Sequence, residues 1–330
     1  MMVVLPSKNK TKMKTKEYFI RRANDITMNV DGEKVVIISK KEVIDFVNQV
    51  YGKQFVNRSK ATKLTKLSYL GGVNVSSKVE KGLKKDIHTY IIYLAPYIGL
   101  FGNVCAMGEH CADPCLNTSG RVKMDKREFK ILRSRNFKTM LWYINREYFC
   151  QWLFAEISAH SNRLGNKLVV RLNGTSDLSP KLFKAFGVNI LDAFPSVQFY
   201  DYTKIPSRMN MHNPDGNYHV TFSYNGYNQD DCDLARAKGI NVSIVVNGDQ
   251  PKTWRGVSVY SMDETDLRSF DEHKGQYGYL KLKETLNKAY DTKFIINQDD
   301  LDHNQLITSL TYAILEPSVS VEEFTELIAQ

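Results

Sequence analysis

Thr89-Tyr-Ile-Ile-Tyr-Leu-Ala-Pro96 runs into Tyr97-Ile-Gly-Leu-Phe-Gly-Asn-Val-Cys105-Ala-Met-Gly-Glu-His-Cys111-Ala-Asp-Pro-Cys115-Leu-Asn-Thr-Ser-Gly-Arg121. The first segment is β-branched and aromatic and ends at a proline, the signature of a buried strand. The second carries three cysteines in eleven residues, spaced C-x5-C-x3-C. The thiols therefore lie on the loop leaving a strand's C-terminal end, where α/β folds place their chemistry. Three thiolates on one loop suit a soft metal or an iron–sulfur cluster with one position left open. A structural zinc site would show paired C-x2-C knuckles and a fourth ligand. Zinc and plain free thiols remain the alternatives. Cys150, among Phe149, Trp152 and Leu153, reads as a core thiol, and Cys232 as incidental.

From this strand onward, strand and helix signals alternate. Helical patterns cover about Arg127 to Tyr143 and Glu147 to Asn162. Strand patterns follow at Lys167–Leu172, Val197–Tyr200, His219–Phe222, Val242–Val246, Gly256–Tyr260 and Tyr277–Leu280. Pro180 opens a short helix to Phe186, and a helix over Asp230 to Lys238 ends at Gly239. Gln305 to Leu315 and Val321 to Ile328 read as helices. The alternation predicts an α/β fold: a partial or irregular (β/α) barrel of about six to seven mostly parallel strands. Residues 88–330 form this domain, and residues 1–87 are an appended N-terminal region, partly flexible. In that region Glu33–Ile38 reads as a strand, and Ser39 as the cap of a helix over Glu42 to Tyr51.

The chain has 330 residues and a net charge of +9. Residues 1–87 hold 19 Lys and Arg against 8 Asp and Glu, a balance of +11, which leaves −2 for the remainder. A basic arm of this kind steers a protein toward nucleic acid or nucleotides. The plainer reading of Lys8 to Lys16 is a solvated tail. No apolar run approaches a membrane span. No secretory h-region precedes the lysines, so a reducing compartment, the cytoplasm, is expected.

Polar residues repeatedly follow the apolar strands: Arg171 with Asn173-Gly-Thr-Ser-Asp177, Asp201-Tyr-Thr-Lys204, Ser223-Tyr224, Asn247-Gly-Asp249 and Asp263 to Arg268. In a parallel barrel these loops converge on one face, so they predict one polar cavity beside the cysteine loop. Taken singly, each is an ordinary turn or cap residue. Asp263 and Asp266 also form a candidate divalent-metal pair. No P-loop, G-x-G-x-x-G or G-x-S-x-G is present.

Longer strings carry a resemblance. They include Leu94-Ala-Pro96, Asn103-Val-Cys105, Cys115-Leu-Asn-Thr-Ser-Gly-Arg121, Arg135-Asn-Phe-Lys-Thr139, Val170-Arg-Leu-Asn-Gly-Thr-Ser-Asp177, Phe199-Tyr-Asp-Tyr-Thr-Lys204, Tyr218-His-Val-Thr-Phe-Ser223 and Asp266-Leu-Arg268. Together they resemble the phage gene product 88 domain family. The resemblance implies a phage-encoded protein working in the host cell and brings no activity with it. A strand followed by a three-cysteine loop at the start of a partial α/β barrel also resembles the radical S-adenosylmethionine enzymes. That likeness implies a [4Fe-4S] cluster on Cys105, Cys111 and Cys115, with S-adenosylmethionine on the open iron. Asn173, Thr175 and Asp177 would contact that cofactor, and Lys204, Tyr202 and Arg268 would face a polar or nucleotide substrate. The cysteine spacing is wider here than in those enzymes, and their Gly-Gly-Glu turn is absent. The expected function is therefore an iron–sulfur protein, with radical enzyme chemistry as its enzymatic form. The rival is a non-catalytic cluster- or zinc-binding module that binds host protein or nucleic acid.

Overall fold

The computed structural model describes residues 16–30, 32–55, 57–97, 99–125, 128–284, 292–297 and 301. The chain opens with helix α1 (Lys16–Arg22) and an antiparallel hairpin, β1 (Ile26–Val30) with β2 (Glu33–Ile38). Helix α2 (Lys40–Val50) begins at Ser39, whose hydroxyl accepts from the Glu42 N–H while Glu42 accepts from the Ser39 N–H. This reciprocal cap is the reason the helix starts where the sequence predicts. Helix α3 (Arg58–Thr65) and the short strand β3 (Gly71–Val73) follow.

The central sheet is built from β4 (His88–Ile92), β5 (Leu168–Arg171), β6 (Gln198–Thr203), β7 (Tyr218–Ser223), β8 (Val242–Asn247), β9 (Val257–Ser261) and β10 (Tyr277–Lys281). Its spatial order is β3-β4-β5-β6-β7-β8-β10-β9, with the two-residue strand Thr253–Trp254 beyond β9. Every pair from β4 to β9 is parallel, and β3 joins antiparallel at the edge. A last strand, β11 (Ile295–Asn297), pairs with β8. It takes the edge of β8 that β7 leaves after Ser223. Crossover helices α4 (Lys130–Ile144) and α5 (Arg146–Leu164) lie between β4 and β5, and α6 (Gln229–Ala237) lies between β7 and β8.

The α/β class and the parallel sheet are as expected, but the barrel expectation is corrected. Strands β4 to β8 follow in sequential order, as a barrel requires. After β8 the order turns back through β10 to β9, and among the described residues β9 makes no ladder with β3 or β4. The sheet stays open. The N-terminal quarter is also joined rather than appended. Strand β3 completes the sheet edge, and Phe19, Ile38 and Val47 share one core with Trp142 and Phe199. The predicted helices over Gln305 to Leu315 and Val321 to Ile328 lie outside the described residues.

Strand register separates two faces. One carries Tyr90, Ile92, Val170, Phe199, Val220, Phe222 and Ile244, which pack on the crossover helices. The other carries Thr89, Arg171, Tyr200, Tyr202, His219, Thr221, Ser223 and Ser243. A segment around Met262 to Arg268 lies over this polar face. A Cβ on Gly278 would strike Met262, and Leu267 packs on Gly82. Among the described residues, no helix is long and apolar enough to cross a membrane.

Trp142 is buried under the sheet, edge-on to Phe149 at 5.3 Å and against Phe183 at 4.9 Å. Trp142→Ala is expected to lower the unfolding free energy by about 3–5 kcal/mol. Urea denaturation followed by circular dichroism measures it, as a lower midpoint at unchanged slope.

Candidate functional site

Pro96 ends the extended run after β4, and the chain enters a loop of tight turns. The Gly108 N–H donates to the Cys105 carbonyl at 3.0 Å and the Cys111 N–H to the Gly108 carbonyl at 3.2 Å. A Cβ on Gly108 would lie 2.9 Å from that Cys105 carbonyl and 3.2 Å from the Cys105 sulfur, so only glycine lets the loop fold this tightly. The Asn117 N–H points at the Cys115 sulfur at 3.5 Å. Arg135 of α4 donates to the Asn117 carbonyl and side-chain oxygen, at 3.0 and 2.8 Å, and so anchors the loop's far end.

The turn after β5 anchors its near end. The Gly174 N–H donates to Ile92 O and the Asp177 N–H to Val104 O, both at 2.8 Å. The Thr175 hydroxyl donates to Leu94 O at 2.5 Å. Beneath that turn lies a buried network. Asp177 accepts from the Thr203 hydroxyl at 2.8 Å and the Lys204 N–H at 2.9 Å, and it pairs with Arg208. Arg208 also reaches Asp201 at 3.1 Å. Asp201 in turn accepts from Asn173, through its N–H at 2.8 Å and its side-chain amide at 2.9 Å. The Asn173 side-chain oxygen accepts from Ser176 and from the Leu178 N–H. Burial raises the Asp201 pKa, with Arg208 and Asn173 pulling the other way.

Above this network stands Lys204. It continues the alternation Tyr200, Tyr202 on the polar face of β6, and its ammonium lies 5.2 Å from the Phe294 ring centre. Burial penalises the ammonium, but the fields of Cys111, Cys105, Asp177 and Cys115 more than offset this and raise its pKa. Burial pushes the Cys105 thiol up to about 12 against the pull of Lys204, and burial raises Cys115 as well. Without a metal, the Cys105 and Cys115 thiols therefore hold their protons at neutral pH. Cys150 and Cys232 are sealed in separate cores, so neither can join them.

The predicted site residues thus fall into two groups. Cys105, Cys111 and Cys115 share one tightly turned loop within electrostatic range of Lys204. Asn173, Thr175 and Asp177 lie beside them, but their side chains are taken up by the scaffold. Tyr202 and Arg268 belong to the polar face below. There Asp266 accepts from Arg171 at 2.9 Å, Tyr200 at 3.0 Å and Tyr202 at 3.2 Å, and Lys78 lies 3.8 Å away. Burial opposes ionisation of Asp266, yet Arg171, Lys78 and Arg268 together hold its pKa below the usual value. Asp266 is therefore the anion of a cation cluster, and its pairing with Asp263 reads as ion-pair partnership with Lys78. Arg208, Lys78 and Arg171 are the residues the sequence reading undervalued. Among the described residues, no three His, Cys, Asp or Glu side chains crowd closely enough to hold a single metal ion. A cluster spreads its cysteines over different iron atoms, so it asks for wider separation than one ion does.

The sequence model of the family described as gene product 88 matches residues 54–298. No curated protein and no solved structure matches the chain.

Arg208→Leu would leave Asp177 and Asp201 buried without their cation. The expected cost is about 3–5 kcal/mol of stability at neutral pH. Protonation relieves the cost of a stranded buried carboxylate, so the deficit should shrink as pH falls. Unfolding midpoints of the variant and wild type across pH test both the size and the sign.

Proposed function

The chain belongs to the gene product 88 family of bacteriophage proteins, and from that premise we propose that it is an iron–sulfur protein. Cys105, Cys111 and Cys115 would hold a [4Fe-4S] cluster at the C-terminal edge of the parallel sheet, with one iron free of protein sulfur. The observation that supports this reading is one tightly turned loop carrying three cysteines at the C-terminal edge of the sheet, with the other two cysteines sealed in separate cores. Three thiolates in one place repel one another, and a buried cation on the polar face offsets part of that charge. Loading is proton-coupled, because thiols with raised pKa values must release their protons to bind metal. The enzymatic form of the reading is a radical S-adenosylmethionine-like enzyme, in which the cluster supplies electron transfer to a cofactor bound at the open iron. Lys204 would then provide positive charge beside that iron. Tyr202, Arg171 and Arg268 would offer a polar or anionic substrate its contacts.

Protein purified without oxygen is expected to be brown, with about four irons and four sulfides per chain. The triple Cys→Ser variant should be colourless. Stoichiometric zinc without iron would sink the reading. Addition of S-adenosylmethionine should change the electron paramagnetic resonance spectrum of the reduced cluster. An unchanged spectrum removes the enzymatic form and leaves a cluster-binding module.

Lys204→Met should retain the cluster and lower its reduction potential, since an adjacent cation favours the reduced, more negative state. A redox titration followed by the same spectrum measures the shift. An unmoved potential would mean that the ammonium does not face the cluster.

A further inference from the structure

One cleft shares no residue with the cysteine loop. It measures about 830 Å3 and lies between α2, residues 65–71 and α4, within the size range of ligand sites. We propose that this cleft binds a nucleotide unit, phosphate and base together, either free or within a single strand of nucleic acid.

The walls suit a base. Phe46 of α2 and Phe137 of α4 pack on each other, ring centres 4.8 Å apart, and form an apolar wall. Tyr69 at the mouth is 53% exposed, and the Arg58 guanidinium lies 3.9 Å from its ring centre. Exposed aromatic and guanidinium planes are the stacking platforms that bases use without regard to sequence. The rim suits phosphates. Lys66 and Lys130 line the cleft, which also holds Glu42 and Asp45, and Arg58, Lys60 and Lys63 of α3 continue the basic run away from Lys66.

The floor carries the strongest observation. Arg133 is satisfied within the fold, bonded to Ile37 O and Glu42 at 2.5 Å each. Lys138 beside it has no hydrogen bond or ion pair among the described residues. Burial pulls its pKa down to about 8, with Glu156 only partly opposing. The Glu156 oxygens are already engaged by the Leu70 and Gly71 N–H groups at 3.2 Å and by the Tyr90 hydroxyl at 2.6 Å. The Lys138 ammonium therefore has no direct hydrogen-bonded partner among the described residues, and a phosphate in the cleft supplies one.

The test uses the full chain and a fluorescein-labelled oligothymidylate at low salt, read by fluorescence anisotropy, with ATP as competitor. Saturable binding is expected, weakening as salt rises. Lys138→Met and Tyr69→Ala should each weaken it about tenfold, the scale of one lost stack or charge contact. Ser134→Trp, which fills the cleft, should do the same. Unfolding midpoints establish that the variants remain folded. Displacement by ATP assigns the cleft to free nucleotide, and strand binding that ATP leaves intact assigns it to nucleic acid. The triple Cys→Ser variant should bind like wild type, since this site stands apart from the cluster. Absence of binding by both probes overturns the proposal. So does binding that the folded cleft variants leave unchanged, or that the cysteine variant abolishes.

Discussion

One buried guanidinium sets the positions of everything at the sheet's working edge. Arg208 bridges Asp177 and Asp201, which belong to the turn after β5 and to β6. Asp177 passes the constraint upward, because its N–H fixes Val104 beside the first cysteine. Asp201 passes it sideways, through both Asn173 contacts. A buried charge triad of this kind adds little stability over an apolar equivalent. What it provides is geometry. Any displacement of one loop strands a charge in the core, so the cysteine loop, the Asn173 turn and Lys204 keep one arrangement.

The two faces of the sheet divide the labour. The apolar face meets α4, α5 and α6 and provides the hydrophobic stabilisation. The polar face holds Arg171, Asp266, Lys78, Tyr200 and Tyr202 in mutual contact beneath Lys204. Burial of so many ionisable groups is costly, and such clusters concentrate where a protein handles charge. The sulfur site and the polar face are continuous along β6, through Tyr200, Tyr202 and Lys204.

Much of this was legible in the sequence. Runs such as Leu168-Val-Val and Val242-Ser-Ile-Val-Val announce parallel strands because both faces are buried, and Ser39 with Glu42 announces a helix start. The same double burial hid which polar residues share a face. Asp201 and Tyr202 are neighbours in sequence and lie on opposite sides of the sheet. Strand β3 escaped notice because Gly71-Gly72 offers no side chain to pack, and β11 because three residues carry no period. The open sheet was hidden too, since strand order after β8 depends on contacts between distant segments. The polar strand ends were read as one constellation. The structure splits them between a scaffold that holds the turns and a face that carries charge.

Strand β11 has a consequence for how the protein is made. Phe294 meets Lys204, the Thr292 hydroxyl donates to the His110 carbonyl at 2.6 Å, and Lys293 lies over Tyr227. Gly226 has φ of +97°, and a Cβ there would lie 2.6 Å from the Lys293 carbonyl carbon, so the two segments are closely docked. Cys105 therefore leaves the ribosome about 190 residues before Phe294, some ten to forty seconds at ordinary rates of translation. During that interval the cysteine loop lacks the contact that Thr292 later makes with the His110 carbonyl. Chain order leaves one side of the cysteine loop uncovered until the segment around Phe294 has been made.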